Sequence, residues 1–277
     1  MFTLNCKGRL LVVDKPLVMG IINTTPDSFY QGSRFTGTDS LLHQAELMLK
    51  QGADIIDIGG QSTRPGSARI TADEELQRVS GAIEVLHKNF PEAIISIDTY
   101  WSRVAEEAVL SGASIINDIS AATVDEKILE VAARYQTPYC CMHMPGNPDT
   151  MHQVPAYENL MREILDYFIR KIELCRKAGI KDVIIDPGFG FGKTAAQNFE
   201  LIRRLHIFKI LQAPILVGVS RKSTIWKTLG ITAGEALNGT TVLHTIALQN
   251  GASILRVHDV KEAVEAVKLV AEINNGQ

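Results

Sequence analysis

Apolar runs along this chain stop repeatedly at residues that can do chemistry: Asn23 after 18–22, Asp98 after 94–97, and Asn117 after Ile115 and Ile116. His143, Asp186, Lys222 and His258 follow apolar runs in the same way. Carboxylates, amides, imidazoles and an amine together can recognise a polar ligand and offset charge that develops during a reaction. Taken singly, each serves equally well as a cap, a turn residue or structural support. Their common placement points to chemistry, because strands alternating with helices build a parallel sheet whose strand ends face one way. Residues at those ends share one active-site mouth.

The elements that would position them can be read in order. Residues 2–5 and 9–13 flank the turn pair Lys7-Gly8 and predict a short N-terminal β-hairpin, placed to plug a barrel floor. Strand candidates follow near 17–22, 54–59, 94–98, 114–117, 138–142, 183–186, 214–218 and 253–257. That is the eightfold count of a closed (β/α)8 TIM barrel, in the α/β class. Between them lie helical spacings such as Leu76, Val79, Ile83 and Leu86. Gly52, Gly112, Gly179 and Gly251 each follow a helix pattern, where a left-handed C-cap belongs. Two βα loops, Asn23 to Gly37 and Gly59 to Ile70, exceed the usual length and read as lids, with Arg34, Arg64 and Arg69 available to an anion.

Composition narrows the class. The 277 residues suit one domain spanning 1–277, with 45% hydrophobic and 21% charged residues and no visible linker. A net charge of -3 gives no reason to expect nucleic acid as a partner. Cys6, Cys140, Cys141 and Cys175 lack zinc-site spacing and read as reduced core thiols, which fits the cytoplasm. Neither a secretory signal nor a run long enough to span a bilayer is legible, so no membrane partner is expected.

Five motifs in order resemble those of the dihydropteroate synthase family along nearly the whole chain. They are Asn23-Thr24-Thr25-Pro26-Asp27-Ser28-Phe29, Gly60-Gln61-Ser62-Thr63-Arg64-Pro65-Gly66, Asp186-Pro187-Gly188-Phe189-Gly190-Phe191-Gly192-Lys193, Ser220-Arg221-Lys222-Ser223 and Arg256-Val257-His258-Asp259. The resemblance implies condensation of 6-hydroxymethyl-7,8-dihydropterin pyrophosphate with para-aminobenzoate, giving 7,8-dihydropteroate and pyrophosphate in folate biosynthesis. A pterin presents a guanine-like edge, which calls for an acceptor carboxylate, an amide and a cationic donor. Asp186, Asn117 and Lys222 supply these, and Asp98 can accept from the reduced ring and offset positive charge as pyrophosphate leaves. Asp98, Asp186 and Lys222 are the catalytic candidates.

By the same resemblance Asn23, Arg256 and His258 take the pyrophosphate. His258 has the alternative reading of a packed barrel histidine. Asn23 is the one expected protein ligand of magnesium, a weak one, so the ion is expected to arrive mainly with the pyrophosphate. Thr63, Arg64, Pro65, Phe191, Lys222 and Ser223 form the para-aminobenzoate site, with Phe191 and Pro65 sandwiching the ring. Phe189 reads as core. The glycine spacing of 188–192 is wrong for a dinucleotide loop.

Two departures from the family pattern stand out: Gln61 where Glu is common, and Tyr100-Trp101 where a nearby lysine is usual. They bear on lid packing and on sulfonamides, drugs that imitate para-aminobenzoate. An ionisation-first route needs no dedicated general base. A methyltetrahydrofolate-using methyltransferase domain has no use for a pyrophosphate pocket, and a silent pterin-binding protein would be expected to have lost Asn23, Lys222, Arg256 or His258. The apolar run in 239–249, with Val242, Leu243, Ile246, Ala247 and Leu248, offers surface for the homodimer that the resemblance suggests.

Overall fold

The computed structural model describes residues 1–24, 34–61, 69–146 and 156–275. β1 (Phe2–Cys6) and β2 (Arg9–Val13) pair antiparallel, with Phe2 opposite Val13 and Cys6 opposite Arg9. Lys7 and Gly8 both adopt positive φ, 54° and 88°, the two-residue turn that suits the twist of a tight hairpin.

The main chain then alternates strand and helix: β3 (Leu17–Asn23), α1 (Arg34–Lys50), β4 (Ile55–Gly59), α2 (Ala72–Asn89), β5 (Ile94–Asp98), α3 (Ser102–Ser111) and β6 (Ile115–Asp118). It continues with α4 (Lys127–Tyr135), β7 (Tyr139–Met142), α5 (Leu160–Lys177), β8 (Val183–Asp186), α6 (Ala195–Arg203), β9 (Leu216–Val217), α7 (Ser223–Leu229), α8 (Leu237–Gln249), β10 (Ile254–Val257) and α9 (Val260–Asn275). One eight-stranded parallel sheet runs β8-β7-β6-β5-β4-β3-β10-β9, and a bridge between Ile185 and Ile215 brings its two edges together as a nearly closed barrel. β9 is shorter than the 214–218 stretch expected from sequence. Pro214 has no N–H to give the ladder, although its carbonyl accepts from Ile185 at 3.0 Å.

Period-two alternation explains both layers of the core. Ile55, Ile94, Ile115, Cys140, Ile184, Leu216 and Ile254 point into the barrel, where Leu4, Cys6 and Val13 of the hairpin close the floor. Their neighbours Ile56, Ile95, Ile116, Cys141, Ile185, Val217 and Leu255 point outward under the helices. Adjacent Cys140 and Cys141 thus face opposite sides, and all four cysteines are buried and free. Burial pushes their thiols up, Cys6 and Cys175 to about 12, so they pack as small apolar residues.

Chain punctuation matches its residues. Gly52, Gly112, Gly179 and Gly251 all take positive φ where helices end. Thr71 with Glu74 and Thr194 with Gln197 form capping boxes that start α2 and α6. α1 begins at Arg34, inside the stretch read as a first lid from Asn23 to Gly37, of which 25–33 lie outside the described residues. Among the described residues no helix is long and apolar enough to cross a membrane.

Candidate active site

Two residues above the apolar barrel layer, the inward positions turn polar. Asp57, Ser96, Asn117, Asp186 and Arg256 occupy them, with Asp98 one inward position higher on β5, and strand register sets their heights: Asp57 lies level with Ser96, and Gly59 with Asp98 and Asn117. Asp57 is fully buried, Asn117 and Asp186 are nearly so, and Asp98 and Arg256 are partly open at the mouth.

Arg256 bridges two carboxylates. Its Nε donates to Asp57 Oδ2 and its Nη2 to Asp98 Oδ2, each at 2.7 Å, leaving Nη1 as the nitrogen these carboxylates do not engage. The Asn117 amide donates to the same Asp57 oxygen at 3.1 Å. Burial pushes the Asp98 carboxyl up from the ordinary range, an effect that Arg256 opposes and Asp57 reinforces. Burial raises Asp186 as well, against the pull of Lys222, while its Oδ1 accepts from the Gly188 N–H at 2.8 Å.

Lys222 sits at the start of α7, next to Arg221, a non-glycine residue at φ 54°. Its ammonium donates to the Phe189 carbonyl and lies 4.4 Å from the centroid of the Phe191 ring. Burial brings Lys222 down to about 8, with Asp186 opposing and Arg256 assisting. Phe189 packs in the outer core, as expected from sequence. Phe191 instead joins Tyr100, Ile119, Met142 and Met144 in a small cluster at the mouth.

The sequence-predicted pocket residues therefore come together, with Asp98, Asn117, Asp186, Lys222 and Arg256 around one cup and Ser223 beginning the helix beside it. Asn23 ends β3 at the exposed rim, where a side chain at Gly59 would stand 3.8 Å from its Oδ1 and 3.5 Å from Asp98 Oδ2. His258 is also exposed, and its Nδ1 lies 3.0 Å from Ser220 Oγ, which rules out the packed-core reading. Thr63, Arg64 and Pro65 lie outside the described residues. Among the described residues no cluster of three or more His, Cys, Asp or Glu could hold a metal.

Three residues escaped the strand-end reading. Asp57 stands mid-strand in Ile55-Ile56-Asp57-Ile58-Gly59, where a carboxylate among isoleucines needs a partner; that was the available signal. Lys193, at the end of the glycine-rich loop, is nearly fully buried and brought by burial down to about 7. Glu75 is fully buried behind the second loop, with Oε2 accepting from Thr99 Oγ1 at 2.7 Å. The two sequence departures also have visible partners: Gln61 Oε1 accepts from the Ile70 N–H at 2.8 Å, and the Arg69 guanidinium lies 5.3 Å and 5.0 Å from the Tyr100 and Trp101 ring centroids.

A profile described as pterin binding enzyme matches residues 19–258, from within the first barrel strand to His258 at the rim. The chain belongs to the pterin binding enzyme family. Among relatives of this family, the dihydropteroate synthase of Escherichia coli strain K12 is 45% identical over 266 residues, covering 95% of this chain and 94% of its own. A crystal structure of Yersinia pestis dihydropteroate synthase with a sulfonamide drug superposes with a TM-score of 0.92 at 41% identity, covering 99% of this chain and 100% of that one. The Xanthomonas albilineans dihydropteroate synthase in complex with 7,8-dihydropteroate gives 0.88 at 35% identity, with 99% of both chains covered. The pterin binding enzymes' signature thus covers each element that carries the cup.

Proposed function

We propose that this chain is a dihydropteroate synthase, a transferase that joins 6-hydroxymethyl-7,8-dihydropterin pyrophosphate to para-aminobenzoate. The observation that carries the reading is the convergence of Asp98, Asn117, Asp186 and Lys222, drawn from four strand ends, on one cup bridged by Arg256. The flat ring docks on the polar floor, Asp186 and Asn117 meeting its edge and Lys222 its acceptors. Arg256 Nη1, His258 and Asn23 are placed for the diphosphate at the rim.

When the C–O bond to pyrophosphate breaks, its electron pair departs with the leaving group, and the methylene carbon keeps a positive charge shared with the electron-rich ring. Asp98, held by Arg256 against the ring site, offsets that charge. Para-aminobenzoate lies against Phe191 with its carboxylate towards Lys222, Ser223 and the loop carrying Thr63, Arg64 and Pro65. Its neutral amine adds to the carbon and sheds a proton to solvent. A sulfonamide would take the same slot.

Magnesium would neutralise charge on the diphosphate. The donors available fit an ion delivered with substrate: Asn23 offers one neutral oxygen at an open rim, and a hard cation retains several waters in such a setting. The protein acts in the cytoplasm, where buried thiols stay reduced. A homodimer is the expected assembly, although of the apolar α8 residues offered for it only Val242 is exposed, at 50%: Ala247 and Leu248 are buried, and Leu243 and Ile246 pack partly buried on the core. Sedimentation at micromolar concentration decides that assembly.

Pyrophosphate release measured with and without para-aminobenzoate tests the activity. One dihydropteroate formed per pyrophosphate is the expected result. Pterin binding with no release under either condition would instead identify a silent binder, and methyl transfer from methyltetrahydrofolate would identify the rival enzyme.

A further inference from the structure

We infer that Asp57 is a positioning residue that sets the hydrogen-bonding face of the pterin pocket, turning the Asn117 amide so that its oxygen meets the ligand. The inference rests on the function proposed above, since it concerns the same cup. Asp57 lies one inward position below Asp98 on the neighbouring strand and is fully buried, so a ligand in the mouth cannot reach it without moving other groups.

An ionised carboxylate can only accept hydrogen bonds. Asp57 Oδ2 is the acceptor here, since the Arg256 guanidinium, which has only donors, gives it Nε at 2.7 Å. The group of Asn117 that faces the same oxygen, 3.1 Å away, must therefore be the NH2. With its NH2 committed below, Asn117 presents its oxygen to the cup. Asp186 has Oδ1 occupied by the Gly188 N–H at 2.8 Å and presents its other oxygen. The cup thus offers two acceptors, from β6 and β8 on either side of β7, and the ligand edge that meets them must donate twice. Lys222 supplies the complementary donor at the other side of the cup.

Removing either half of the contact tests this directly. Asn117→Asp keeps an oxygen for the ligand but sets a carboxylate against Asp57, and affinity for 6-hydroxymethyl-7,8-dihydropterin is expected to fall about tenfold or more. Asp57→Leu removes the acceptor, frees the Asn117 amide to turn and should lose a similar factor. Asp57→Asn keeps one oxygen where Oδ2 stands, able to accept from both Arg256 Nε and the Asn117 NH2, and calorimetric titration should find its binding within about threefold of the parent. KM for para-aminobenzoate should stay unchanged. Asp57→Leu binding as tightly as the parent, or Asp57→Asn losing as much as Asn117→Asp, overturns the inference. If Asp57→Leu or Asn117→Asp does not fold, the affinity of Asp57→Asn decides alone. A parent chain that binds no dihydropterin would instead overturn the function on which the inference rests.

Discussion

The Lys193 ammonium stands 3.0 Å from Nδ1 of His143 and reaches the carbonyls of Gly188 at 2.9 Å and Phe191 at 3.1 Å. One amine thereby uses its three donors to tie both ends of the 188–191 turn to the residue that follows β7, in a pocket where Tyr167 packs edge-on against His143. The turn carries Phe191 and the Phe189 carbonyl, so Lys193 fixes the groups against which Lys222 rests.

Lys193→Met should therefore leave the Phe191 carbonyl and an imidazole nitrogen without their donor, while the Gly188 carbonyl keeps the Phe191 N–H at 3.2 Å, costing about 1–3 kcal/mol per unsatisfied group at most and loosening Phe191. KM for para-aminobenzoate is expected to rise more than KM for the pterin substrate. The pH response has a definite sign. Burial brings Lys193 down to about 7 from an ordinary 10.5, so the unfolded chain binds the extra proton between those values and parent stability gains as pH rises from 7 towards 10.5. Thermal unfolding across that window should show a shallower gain in the Met variant; an identical slope would exclude Lys193 as its source.

Glu75 carries the opposite sign. Burial raises its carboxyl to about 7, Thr99 opposes this, and its Oε1 has no hydrogen-bond partner. The folded chain thus retains a proton that the unfolded chain loses near 4.5, and stability falls as pH rises from 4.5 to about 7. Glu75→Gln should be more stable than the parent at pH 8 by on the order of 1 kcal/mol, with the difference shrinking near pH 5. Calorimetric melting at both values checks it.

Much of this was legible in the residues for a physical reason. Strand period two and glycines at helix ends mark the barrel, because each reflects local backbone geometry that tertiary context rarely overrides. Asp98, Asn117 and Asp186 were visible since they end apolar runs. Asp57 was not, because an inward mid-strand position and an outward one look alike in sequence until register fixes which face is the cup. The commitment of Arg256 to two carboxylates was equally hidden, since Asp57 lies 199 positions away and Asp98 158 away.

Arg221 clamps the loop that presents Lys222. Its Nε and Nη2 meet the two oxygens of Asp259 at 2.8 Å and 2.7 Å, and Nη1 reaches the carbonyls of Ala233 and Gly234. A lysine cannot reproduce that planar fork. Arg221→Lys should lower kcat/KM about tenfold, equivalent to roughly 1.4 kcal/mol, with a small change in melting temperature. Steady-state kinetics beside a melting curve separate loss of aim from loss of fold.

Asp98→Asn separates binding from the chemical step. The amide keeps one oxygen for Arg256 Nη2, so the cup retains its shape, but the charge that opposes the developing methylene cation is gone. If Asp98 acts in the transition state, kcat falls about 10²-fold or more while dihydropterin affinity drops far less. Lys222 bounds the alkaline side: burial brings it down to about 8, so kcat/KM for the pterin substrate should decline as pH passes 8 and the ammonium loses its proton. Lys222→Arg, charged throughout, should abolish that limb even at a lower maximal rate. Equal losses in kcat and affinity for Asp98→Asn would reassign Asp98 to ring binding alone, and an alkaline limb surviving in Lys222→Arg would trace to another group.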